Sequence, residues 1–163
     1  MNNHLAGGLG ALLVGACSYW ALRPTEERIR ARVARIARSR IGDSNGARYW
    51  QVVAPALDRT KSWCGVFALW AIQQAGLAQG WTWSMAPNQS GFLFRLPLTK
   101  IPKVGDIAYF TRNQHHGVIA GVHGSLLDVI NGNGSGGKVT LSTVPVSSAA
   151  GIYSIQPLID KTL

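Results

Sequence analysis

Apolar residues recur along the chain with two different periods, and the change from one to the other separates a helical half from a stranded half. Between Ser62 and Gly76, the residues Cys64, Phe67, Ala68, Ala71, Ile72 and Ala75 fall at the i, i+3, i+4, i+7 spacing of one helix face. Val66, Leu69 and Trp70 leave little polar surface on the remainder, so the spacing predicts a helix packed on most sides. Ser62 stands where a side-chain N-cap belongs, and Gly76 where a left-handed residue closes a helix. Upstream, Pro24-Thr25-Glu26-Glu27 marks another helix start with acidic residues in its first turn. Ile29, Val33 and Ile36 give it a narrow apolar stripe, and Arg28, Arg30, Arg32, Arg35, Arg38 and Arg40 cover the other faces. This Arg-rich helix is expected over 26–40, with Gly42 to Gly46 as the loop that ends it. Tyr49, Trp50 and the segment to Lys61 lead into the cysteine helix without a pattern of their own.

After Gly76 comes an irregular stretch rich in aromatics, through Trp81, Trp83, Phe92 and Phe94, punctuated by Pro87 and Pro97. Beyond Lys103 the pattern turns to short β-type runs: Ile107 to Phe110, Gly117 to Val122, Leu126 to Ile130, Val139 to Val144 and Ile152 to Ile155. Short turn-rich separators between them argue an antiparallel sheet. Helices first and sheet second make the expected fold α+β.

Composition modifies this picture at the N-terminus. The run from Leu5 to Leu22 carries no formal charge, which is borderline for a membrane span and generous for a signal-peptide core. Leu13-Val14-Gly15-Ala16-Cys17 resembles the lipobox at which bacterial lipoprotein precursors are cut. Met1 to His4 hold no Lys or Arg, and the basic residues follow the run. A retained helix would by the positive-inside rule leave the next domain in the cytoplasm. Residues 1–22 are therefore read as a signal, a lipoprotein signal or a membrane anchor, and 23–163 as the functional domain. The expected location is the cell envelope, whether periplasmic, membrane-anchored or secreted. Sixteen Lys and Arg against seven Asp and Glu give a net charge of +9, gathered mainly between Arg23 and Lys61. That favours an anionic membrane or wall polymer as a contact of the Arg-rich helix, although a solvated helix lying across a domain fits it as well. Nucleic acid is not an expected partner. The two cysteines, Cys17 and Cys64, offer neither a disulfide framework nor metal-ligand spacing, so no metal and no cofactor are expected.

A thiol in the first turn lies at the positive end of the helix dipole, which favours the thiolate, and that is where a nucleophilic cysteine belongs. Such a nucleophile needs a base in reach, and the base needs an orienting group. His115 and His116 directly precede the strand Gly117 to Val122, and Asn131 and Asn133 end the next one. The start of one antiparallel strand lies beside the end of its neighbour, so these four residues are expected together. Cysteine, histidine and asparagine in that order follow papain-like logic, in which an amide fixes the imidazole tautomer. His4 and His123 are not placed to help.

Trp63-Cys64-Gly65-Val66-Phe67-Ala68-Leu69-Trp70 resembles the nucleophile helix of CHAP-type amidases and endopeptidases, within the wider NlpC-like cysteine peptidase group. Val104-Gly105-Asp106-Ile107-Ala108-Tyr109-Phe110 is similar to that group's Gly-Asp-hydrophobic strand. Gln114-His115-His116-Gly117-Val118-Ile119 is similar to its histidine strand, and Val129-Ile130-Asn131-Gly132-Asn133 to its acid-or-amide segment. The resemblance implies a papain-like, NlpC-type fold with the nucleophile helix packed on a small antiparallel sheet. It also implies a cysteine hydrolase cleaving peptidoglycan or its stem peptides at amide bonds through an acyl-enzyme. Cys64 matches the nucleophile and His116, in preference to His115, the base. Asn131 is the first choice for the third member and Asn133 the second. Two other readings share these residues: a membrane-tethered binding module on a silent fold, and a cysteine acyltransferase or protease with another substrate.

Overall fold

The structure is a computed structural model that describes residues 24–56, 62–83 and 91–163. The apolar run Leu5–Leu22, with Cys17, lies outside the described residues, as does part of the aromatic stretch after Gly76. Among the described residues no helix is long and apolar enough to cross a membrane. The helical half contains α1 (Glu26–Arg38), α2 (Gly46–Val53) and α3 (Cys64–Gln74). The stranded half contains β1 (Ile107–Phe110), β2 (His115–His123), β3 (Leu126–Asn131), β4 (Thr140–Pro145) and β5 (Gly151–Tyr153), followed by the single turn α4 (Gln156–Ile159). The strands form one antiparallel sheet in the order β4-β3-β2-β1-β5. The expected α+β architecture holds, and it is compatible with a papain-like fold.

α3 forms as its pattern predicts, with Cys64 through Ile72 all buried. Gly76 follows with φ +89°, the left-handed residue that closes the helix. Each large side chain here contributes about 1.5–3 kcal/mol through burial, so α3 is the centre of the main core. That core meets one face of the sheet at Ile107, Val118 and Ile130, while Ala108, Ile119, Leu127, Val129 and Ile152 form a smaller cluster on the other.

Strand ends shift by one or two residues from the sequence reading, and three differences bear on the site and its surroundings. α2 is an element the pattern did not reveal, because Asn45 gives it no side-chain cap and Gly46 begins it. Burial of Tyr49, Trp50 and Val53 stabilises it instead, with the Tyr49 hydroxyl donating to Asp43 at 2.7 Å. α1 stops at Arg38, two residues short of the expected end, where the Ser39 hydroxyl donates to the Ile36 carbonyl. β2 begins at His115, so both histidines lie inside the strand and not before it.

One arginine of the Arg-rich helix is not solvated. Arg30 is buried and reaches Glu26 and Asp106 at 2.8 Å each, the Val104 carbonyl at 3.2 Å and Gln156 at 2.8 Å. Asp106, also buried, accepts further from the backbone N–H groups of Lys103 and Ile155. This cluster ties α1 to the entry of β1 and to the start of α4.

Candidate active site

The start of α3 is set by Trp63, not by Ser62. Trp63 is the N-cap residue and makes no side-chain cap hydrogen bond. Its indole stacks on Tyr49 at 5.3 Å and packs so closely on Gly46 that a Cβ there would collide with it. Ser62, expected to cap the helix, turns its hydroxyl to the Cys64 sulfur at 3.6 Å. Gly65 is required where it stands, because a Cβ would run into the Trp83 indole and lie 3.1 Å from His116 Nδ1.

Cys64 is only 4% exposed, and its sulfur lies 3.8 Å from the Gln114 carbonyl oxygen at the entry of β2. The alternation of a strand then sends the next two side chains to opposite faces of the sheet. His116 lies on the α3 side, 1% exposed, with Nδ1 3.7 Å from the Cys64 sulfur. Trp83 and Tyr109 meet its ring edge-on at 5.4 and 5.0 Å. His115 pairs across from Phe110, is half-buried, and brings Nε2 to Asn131 Oδ1 at 3.0 Å.

Asn131 is paired with Gly117 and so stands on the same face as His115, two residues earlier. Its Nδ2 donates to the Val129 carbonyl at 3.0 Å and to Ser142 Oγ at 2.9 Å. With both amide hydrogens engaged, Oδ1 is an acceptor toward His115, whose Nε2 must carry the proton. The other ring nitrogen, Nδ1, remains for the thiol side. Asn133 joins the site by another route, donating from Nδ2 to Ser62 Oγ at 3.1 Å.

The expected set is therefore brought together, with a different histidine in the middle. Cys64 meets both His116 and His115, whereas the amide of Asn131 meets His115 alone. One histidine does join both partners, but it is His115 and not the expected His116, since adjacent residues of β2 face opposite ways and only His115 shares a face with Asn131. His123 is far off at the other end of β2, paired with Asp128 at 3.0 Å. Ser62 was legible only as a cap; nothing in its sequence position marks it as a neighbour of the sulfur.

Electrostatics favour ionisation of the thiol. Burial opposes the Cys64 thiolate, yet hydrogen bonding to His115 and His116 and their charge outweigh it, bringing the thiol down to about 5. Burial likewise opposes the His115 imidazolium, but hydrogen bonding to Cys64, the thiolate charge and Asn131 together hold it above the ordinary histidine value. The arrangement can hold a thiolate–imidazolium pair at neutral pH.

Two shallow depressions open beside the pair. His115, Asn131, Asn113 and Ser142 border both; Phe110 and Arg112 complete one, Ser62 and Asn133 the other. Among the described residues, no three His, Cys, Asp or Glu side chains are grouped to hold a metal ion.

Residues 56–133 match the family model described as the CHAP domain. The match spans Cys64, both histidines and both asparagines, so the resemblance seen in the motifs holds over this segment. CHAP domains are generally hydrolases, and the match suggests amidase-type activity on peptidoglycan. No curated protein and no solved structure shows a significant match to the chain.

Proposed function

We propose that the segment matched by the CHAP domain model works as a cysteine amidase or endopeptidase on peptidoglycan stem peptides, with Cys64 as nucleophile. The observation that carries this reading is the placement of Cys64 at a helix start between two imidazoles, one of them tied to an amide. The thiolate attacks the amide carbonyl carbon, a C–S bond forms, and the carbonyl electron pair moves to oxygen. Collapse expels the amine, which takes its proton from an imidazolium, and leaves a thioester. Water then attacks the thioester while the imidazole accepts its proton, and the thiolate leaves.

His116 is the base that the motif favours, and its Nδ1 is near the sulfur. We assign the proton transfer to His115, because it borders both depressions where a leaving amine can reach it. The Asn131 amide fixes its tautomer as such a base requires. His116, enclosed by Trp83 and Tyr109, then acts on the sulfur alone. Arg28, Arg32, Arg35 and Arg38 are exposed along α1 and suit contact with an anionic membrane or wall polymer at the cell envelope.

The test is digestion of purified peptidoglycan by the full chain, with Cys64→Ala beside it and the fragments read by mass spectrometry. New amino termini or freed stem peptides that vanish in Cys64→Ala are the expected result. A folded wild type that releases nothing overturns the peptidoglycan reading.

A further inference from the structure

The mechanism above leaves one polar side chain beside the sulfur without a task. Ser62 Oγ lies 3.6 Å from Cys64 Sγ, and its partner on the other side is Asn133, whose Nδ2 donates to Oγ at 3.1 Å. That donation occupies a lone pair of Oγ and leaves the hydroxyl proton free to point to the sulfur. A thiolate has no proton to offer, so in the ionised state the hydroxyl must be the donor of this pair. Ser62 is not otherwise occupied by the helix, since α3 begins without a side-chain cap.

The support behind Ser62 is built into the fold. Asn133 has φ +52°, a left-handed conformation that asparagine tolerates better than most residues. Just before it, Gly132 lies against Phe67 of α3 so closely that a Cβ would collide. The chain that carries Asn133 is thus pinned to the same helix that carries the nucleophile.

We propose that Ser62 is a positioning residue of the site: its hydroxyl, held by Asn133, donates a hydrogen bond to the Cys64 thiolate and shares its charge with the two imidazoles. This deepens the reading of Cys64 as nucleophile and rests on it. The titratable groups that face the sulfur among the described residues are His115 and His116 from β2 and Tyr109 from β1; α3 contributes none besides Cys64 itself. A bond of this kind makes the thiolate easier to form and less nucleophilic once formed. Its loss therefore has two opposed effects, which loss of mere packing does not produce.

The experiment follows the rate at which the full chain reacts with a small neutral chromogenic disulfide, from acid to mildly alkaline pH, with Cys64→Ala subtracting any reaction of Cys17. Ser62→Ala is expected to raise the apparent pKa of Cys64 by about one unit. With a Brønsted slope of about 0.4–0.5, the reaction becomes about threefold slower on the acid side and about threefold faster on the alkaline plateau. The two curves cross. Ser62→Thr, which keeps the hydroxyl, should follow the wild type, and Asn133→Ala should shift in the same direction by less. A Ser62→Ala curve that overlies the wild type, or falls below it at every pH, overturns the proposal. If Ser62→Ala does not fold, Asn133→Ala decides, and an unshifted folded Asn133→Ala is equally fatal. No peptidoglycan enters the assay, so a chain that cuts none can still show the crossing, and a chain that cuts it can still fail to.

Discussion

Two clusters of ionisable groups buried among the described residues are built differently. Around Arg30 and Asp106 the partners lie mostly at 2.8–3.2 Å and account for each hydrogen-bonding end of both groups. Around Cys64 the contacts to Ser62, His116 and the Gln114 carbonyl run from 3.6 to 3.8 Å, only partly because sulfur is larger than oxygen, and His115 is a further partner. A saturated cluster compensates the cost of burying charge and acts as a fixed tie between α1, β1 and α4. A loose cluster suits the proposed mechanism, in which protons and a substrate carbon must still find room at the sulfur. The first is read as structure and the second as chemistry, although both gather groups able to carry opposite charges in a low-dielectric interior.

Removing one partner from each cluster sharpens the contrast. Asp106→Ala leaves the Arg30 guanidinium buried without its main counter-charge and is expected to cost about 3–5 kcal/mol of stability, measured by denaturant unfolding. Hydrolysis per folded molecule should hardly change. His115→Ala should do the reverse, lowering hydrolysis by about 10³-fold while the unfolding curve moves little. His116→Ala is the intermediate case, since its ring fills space between Trp83 and Tyr109. It should lose about 2 kcal/mol of stability, with a smaller fall in activity than His115→Ala. An equal or greater fall in His116→Ala would return the base to His116.

Smaller effects follow from the ionisation states. Cys64 lies at about 5, so the thiolate forms as pH rises through that value. His115 is held above its ordinary value, so its imidazolium persists to higher pH and is lost on the alkaline side. Hydrolysis should therefore be bell-shaped between these limits. Asn131→Asp places a carboxylate beside His115 and should raise the alkaline limb by about one unit, as followed by NMR titration of the ring. The least effect is expected at the exposed Glu26–Lys103 pair, where Lys103→Met should cost under about 1 kcal/mol.

Much of the site was legible because its parts obey local rules. The periodicity of α3 located Cys64 at a helix start, and antiparallel pairing placed the histidines beside the asparagines. The pairing of Gly117 with Asn131 bears this out. What failed was parity. With the strand taken to begin at Gly117, neither histidine had a face; counting two residues back from Gly117 puts His115, and not His116, beside Asn131. Arg30 was illegible for a different reason. Six arginines share α1 and the turn after it, and only the docking of that helix on a segment 76 residues away selects the buried one.

The sequence by itself determined the order of helices and strands, the thiol at its helix start and the imidazoles at their strand entry. Periodicity and turn chemistry are written within a few residues of each other. Tertiary structure alone decided which imidazole meets Asn131, that Ser62 turns from capping to the sulfur, and which arginine goes under. Those outcomes depend on strand register and on where one element lands upon another, across 16 residues for His115 and Asn131 and across more than 70 for Ser62 with Asn133 and Arg30 with Asp106, and no local pattern carries that information.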